Sequence, residues 1–84
     1  MFSVYILQSE KNGRFYVGYS EFPERRLLEH NSGKVKSTRN FRPWKKVYSE
    51  AFKTELEAIQ REKYIKAMKS RKFILNLIGQ TRPD

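Results

Sequence analysis

The chain has no cysteine among its 84 residues, which excludes a disulfide framework and any thiolate metal site, and makes the cytoplasm the expected location. It has a single histidine, His30, so a multi-histidine metal cage is excluded as well. No apolar run is long enough to cross a membrane. The start, Met1-Phe2-Ser3-Val4-Tyr5, lacks the basic segment and small-residue cleavage site of a secretion signal. There is no internal repeat and no low-complexity tract. Acidic residues are scarce, 9 against 18 Lys and Arg, which leaves a formal charge of +9. That field favours a polyanionic partner, nucleic acid before any other, with no membrane role expected.

The excess charge is not spread evenly. Between Gly33 and Tyr48 stand Lys34, Lys36, Arg39, Arg42, Lys45 and Lys46, with no acid among them. Phe41 and Trp44 are interleaved with these cations, a pattern that suits phosphates along a backbone with bases stacked beside them.

Phe2 to Leu7 and Phe15 to Tyr19 are rich in strand formers and flank Lys11-Asn12-Gly13, which reads as a hairpin. A tight turn pairs Lys11 with Arg14, and a wider loop pairs Leu7 with Arg14. Either register sets odd residues of the first strand against even residues of the second. Tyr5 and Tyr16 therefore share one face, and Phe2, Val4, Ile6, Phe15 and Val17 take the other. The apolar face is expected to be core and the tyrosine face open for chemistry, although a cross-strand pair that only stabilises the hairpin would look the same. Gly18 suits either a bulge or the approach of a ligand to the backbone.

Pro23 fits the first turn of a helix that Asn31-Ser32-Gly33 ends, with Leu27 and Leu28 against the sheet. Arg26 and His30 lie four residues apart on one face of it, facing either a site or solvent, and Glu29 is near enough to neutralise Arg25 or Arg26. Val47 to Glu50 reads as a short third strand. Thr54-Glu55-Leu56-Glu57 is a capping box opening a helix to about Met68. On that helix Glu62 lies along the stripe of Ala58, Ile59 and Ile65, so a cation must meet it: Lys66, an arginine from elsewhere, or a metal. Ser70 to Gly79 reads as a closing helix, followed by a frayed tail from Gln80 to Asp84. The fold expected is α+β, a three-stranded antiparallel sheet flanked by helices in the order β-β-α-β-α-α. Residues 1–79 form a single domain in this reading.

In sum these residues resemble the GIY-YIG nuclease superfamily, most closely its small stand-alone bacterial UvrC-like members. Val4-Tyr5-Ile6-Leu7 stands at the first tyrosine motif and Tyr16-Val17-Gly18 at the second. Arg26 and His30 stand at the helix arginine and histidine, and Glu62 at the metal-binding glutamate. Asn31-Ser32-Gly33-Lys34, Thr38-Arg39 and Pro43-Trp44 resemble loop motifs of the small members. Ser3-Val4 departs from the family's Gly-Ile, Tyr19 stands where UvrC-type members carry lysine, and Asn76 is only a loose counterpart of a later asparagine. An attached DNA-binding domain of the kind many members carry is absent from this reading.

The resemblance implies a metal-dependent endonuclease that hydrolyses phosphodiester bonds in nucleic acid, DNA more than RNA. It implies Tyr5 as general base, oriented by Tyr16 and His30 with their roles exchangeable, Arg26 on the phosphate, and Glu62 holding Mg²⁺ or Mn²⁺. Lys34, Lys36, Arg39, Arg42, Lys45 and Lys46 would hold the strand without reading bases. Nearby cations are expected to lower the Tyr5 pKa. A binding module without catalysis on the same fold is the alternative, and a basic protein-interaction domain is a second.

Overall fold

β1 (Phe2–Ser9) is the middle strand of one antiparallel sheet, with β2 (Phe15–Ser20) and β3 (Trp44–Phe52) on either side in the order β2-β1-β3. The coordinates are a computed structural model, which describes residues 1–80. Three helices, α1 (Pro23–Ser32), α2 (Glu55–Met68) and α3 (Arg71–Gln80), complete the α+β order expected. No helix among the described residues is long and apolar enough to cross a membrane.

The hairpin register falls between the two considered. Tyr5 stands opposite Gly18 and Leu7 opposite Tyr16, so both tyrosines do share a face. No bulge interrupts this pairing. On the other face Val4, Ile6, Val17 and Tyr48 pack against Ala58 and Ile65 of α2 and Leu77 of α3. The tyrosine face is not left open, contrary to expectation. Tyr5, Leu7 and Trp44 form a second buried cluster, joined by Tyr16, Leu27 and Phe41. A middle strand whose Val4, Tyr5, Ile6 and Leu7 are all buried needs cover on both sides.

A register shift supplies that cover. Ile6 pairs with Tyr48 but Leu7 pairs with Lys46, so Val47 is the extra residue of a bulge. Because side chains alternate, one extra residue moves the even positions of β3 across the sheet. Tyr48 lies with the Val4 and Ile6 core, whereas Trp44 lies with Tyr5 and Leu7. β3 also starts at Trp44 rather than Val47, so Lys45 and Lys46 are strand residues and the basic loop is shorter than expected.

Pro23 opens α1, and Gly33 ends it in the left-handed conformation at φ 87°. Leu27 packs inward, but Leu28 is 71% exposed and does not bury the helix as expected. α2 opens with the expected box: Thr54 accepts from the Glu57 backbone, and Glu57 accepts from Thr54. α3 does not stop at Gly79, which lacks the positive φ that ends a helix there; it includes Gln80. The rest of the expected tail, residues 81–84, lies outside the described residues.

Candidate active site

Gly18 allows the centre of the site to form. The Tyr5 ring lies across it, so that a Cβ at this position would meet Oη at 2.7 Å and Cζ at 2.9 Å. The glycine thus serves the approach of a tyrosine rather than a bulge. Tyr5 is 1% exposed, and its Oη is 3.2 Å from His30 Nε2. His30 is wholly buried, not solvent-facing, and its Nδ1 is 2.8 Å from Thr38 Oγ1. Thr38 donates its hydroxyl proton to the Val35 carbonyl at 3.4 Å. Assigned from this network, Nδ1–H donates to Thr38, and Nε2 is the unprotonated nitrogen that faces the phenol.

Electrostatics support that assignment. Burial, then Arg26, lowers the His30 pKa, so the imidazole is neutral. The Tyr5 pKa was expected to fall; instead it is pushed up to about 12, because burial and the Tyr16 phenol outweigh Arg26. In the resting protein Tyr5 is a donor to a neutral acceptor.

The remaining groups surround this pair. The Tyr16 ring centroid lies 4.9 Å from that of His30. Arg26, half-exposed on α1, acts electrostatically on both tyrosines, while its Nη1 donates to Glu29 Oε1 at 2.7 Å. Glu29 also lies 3.8 Å from Arg25, so it meets both arginines. Glu62 is largely buried on the flank of α2, paired with Lys66 Nζ at 3.5 Å. Its charge raises the pKa of both Tyr5 and Tyr19, which point to opposite faces of the sheet. Geometry places Glu62 beside β2, because its partner Lys66 reaches the ring of Tyr16, with Nζ 5.9 Å from the centroid. Tyr5, Tyr16, Arg26, His30 and Glu62 therefore converge from β1, β2, α1 and α2. Tyr19, at the position of the family lysine, instead donates to Glu55 at 3.2 Å.

The basic segment is arranged differently from the expectation. Trp44 is buried, with its indole N–H donating to the Thr38 carbonyl at 2.8 Å. Phe41 is half-buried beneath the Arg14 guanidinium, 4.7 Å from its centroid. Neither ring is a free platform for bases. Lys46 is paired with Glu24 of α1, and Arg42 donates to the Arg39 carbonyl at 2.8 Å. Lys34, Lys36, Arg39 and Lys45 are exposed. The segment's local task is to hold α1. Asn31 accepts from the Trp44 N–H at 2.6 Å and donates to its carbonyl at 2.9 Å. Thr38 holds His30. Residue reading alone missed Asn31 and Thr38 as parts of the site, although both belong to the loop motifs quoted above. The signal was an asparagine at the end of α1 and a threonine in the loop after it, which meet Trp44 and His30 once the chain turns back.

The family model of the GIY-YIG catalytic domain matches residues 1–74. A UPF0213 protein of Staphylococcus saprophyticus is 41% identical over 78 residues, which cover 92% of this chain and 93% of that protein. One from Bacillus licheniformis is 46% identical over 81 residues, 95% of this chain and 81% of the other. The solution NMR structure of a UPF0213 protein from Bacillus halodurans is 35% identical. It matches with a TM-score of 0.61 over 96% of this chain and 86% of that one. With its two tyrosine motifs paired across β1 and β2, the chain belongs to the GIY-YIG family, among small bacterial UPF0213 relatives.

Proposed function

We propose that this protein is a metal-assisted endonuclease that hydrolyses phosphodiester bonds in nucleic acid, DNA in preference to RNA. One observation carries the reading: two phenols, an imidazole and a guanidinium gather on the tyrosine face of the sheet, with a carboxylate beside β2, from four separate elements. Packing alone has no use for that combination.

Glu62 is the residue that would hold the metal. Among the described residues no group of three or more His, Asp or Glu side chains assembles, so Glu62 would be one protein ligand among waters and phosphate oxygens. That suits Mg²⁺ or Mn²⁺, which take few carboxylates, and not zinc. Such an ion screens phosphate charge and stabilises the leaving oxygen when bound.

The chain's own residues account for the rest. Arg26 presents a guanidinium whose present partner is the Glu29 carboxylate, and a non-bridging phosphate oxygen fits the same donors. A phenol with a pKa of about 12 does not ionise by itself at neutral pH. As water attacks, its proton passes to Tyr5 Oη while the phenol proton passes to His30 Nε2. Thr38 keeps Nδ1 protonated, which leaves Nε2 free to accept. Tyr16, beside the imidazole ring, orients the water or the phosphate.

The burial of Tyr5 favours one rival, a binding module in which this tyrosine only packs. Cleavage of a labelled panel of branched, single-stranded and duplex DNA and RNA, with Mg²⁺, Mn²⁺ or chelator, separates the two. The nuclease reading expects metal-dependent cutting that both Glu62→Ala and Tyr5→Phe abolish. Binding without cutting selects the module, and cutting that survives both substitutions misplaces the site.

A further inference from the structure

We infer that the groove along the outer side of α1 seats unpaired nucleotides next to the cleaved phosphate, an inference that rests on the nuclease reading for the role of Arg26. Unpaired nucleotides held near Arg26 need a surface for their bases, and the aromatic residues of the basic segment do not provide one. Trp44 is enclosed and Phe41 is capped by Arg14. The aromatic residue left open beside the site is Phe22, 58% exposed at the start of α1. Its place is defined: the Phe22 N–H donates to Ser20 Oγ at 3.0 Å. Ser20 continues the line of Tyr16 and Gly18 along the site face of β2, so the chain leads directly from the tyrosines to this ring.

A cavity of about 270 Å³ lies between Ser20, Phe22, Arg25 and Arg26. A second, of about 350 Å³, lies between Arg25, Leu28, Ser32 and Lys34. Arg25 and Glu29 line both, so the two form one run along the helix that starts at Arg26. Along it stand three cations, Arg25, Arg26 and Lys34, and one carboxylate, Glu29. The Arg25 guanidinium also lies over the Phe22 ring, but at 5.9 Å from the centroid, further than Arg14 from Phe41, and Phe22 stays 58% exposed where Phe41 is half-buried. An exposed ring with the Arg25 guanidinium beside it, and Arg26 and Lys34 further along the groove, matches a single strand, whose phosphates meet the charges while an exposed base face meets the ring. A duplex uses only the charges, because its base faces are stacked within it.

The test is binding of the whole protein, in chelator, to labelled oligo(dT), to an abasic oligomer of equal length and charge, and to a duplex. Phe22→Ala is expected to weaken oligo(dT) binding about tenfold, within the range for loss of one stacked base. The same substitution leaves the abasic oligomer and the duplex unchanged. Phe22→Trp retains oligo(dT) binding, and Leu75→Ala, exposed on α3, changes nothing. Equal loss on all three ligands, or no loss on oligo(dT), overturns the groove. So does polyglutamate competing with oligo(dT) as well as the abasic oligomer does, which would mark the surface as one for acidic proteins. A wild type that never cuts, yet shows this Phe22 dependence, supports the groove and overturns only the nuclease reading. Cutting of single strands indifferent to Phe22→Ala overturns only the groove.

Discussion

Tyr5 and Gly18 face each other across β1 and β2, and the phenol occupies the volume where a side chain on residue 18 would begin. The ring cannot move away freely, because its hydroxyl is held by His30. Gly18→Ala is therefore expected to destabilise the fold by about 1–3 kcal/mol through overpacking. It is also expected to displace Tyr5 from His30. Denaturant unfolding reads the first effect, and the His30 ring resonances read the second.

Thr38 is buried and accepts the His30 Nδ1 proton. Thr38→Val keeps the shape but leaves that N–H without a partner, at a cost of about 1–3 kcal/mol. Cleavage should fall with it, because the imidazole loses the partner that fixes its tautomer. Thr38→Ser should restore both stability and cleavage.

The pKa shifts give stability a signature at each end of the pH scale. Burial lowers the His30 pKa, so the unfolded chain takes up that proton first. The stability this contributes is whole above about pH 6.5 and is lost as pH falls from there towards the lower folded value. Tyr5 and Tyr48 have the opposite sign, raised to about 12 by burial. Their contribution is whole below about pH 10 and drains between about 10 and 12. His30→Gln should flatten the acid limb of a stability profile, and Tyr5→Phe the alkaline limb.

Glu29 occupies the guanidinium that the proposed mechanism assigns to phosphate. Glu29→Gln is expected to tighten nucleic-acid binding by roughly two- to fivefold, the span of an exposed ion pair that no longer has to open. Removing a charge elsewhere, as in Glu57→Gln, should give a smaller gain. In an Arg26→Gln background the special effect of Glu29→Gln should vanish. Titration at several salt concentrations checks all three.

Lys66 stands to Glu62 as Glu29 stands to Arg26, an opposite charge on the same helix at 3.5 Å. An ion bound at Glu62, as proposed, would have to displace it. Lys66→Gln is expected to raise Mn²⁺ affinity by several-fold, read by calorimetry without any cleavage. Glu62→Gln should abolish that binding.

Several features were legible because their rules are local. The alternation of residues 2–7 and 15–19 put Tyr5 and Tyr16 on one face whichever odd-to-even register held, and the observed pairing keeps that parity. Pro23 and Gly33 bounded α1, and Thr54 with Glu57 opened α2, because capping needs only near neighbours in the chain. The stripe of Ala58, Ile59 and Ile65 showed that Glu62 had to find a cation, and Lys66 is that partner here.

What depended on distant contacts was not legible. Nothing within residues 44–52 announces that Val47 bulges, yet that one residue turns Trp44 onto the tyrosine face and closes it. Lys46 reads as a free cation until Glu24 arrives from α1, and Leu28 reads as core until Leu27 is seen to fill the place. The rise of the Tyr5 pKa has the same origin, since desolvation depends on every element packed around the ring. By itself the sequence determined the order of elements, the shared face of the tyrosines and the family, because periodicity, capping and motif spacing are written along the chain. Only the tertiary structure decided which groups are buried, paired or left open, because those depend on side chains brought together from separate elements.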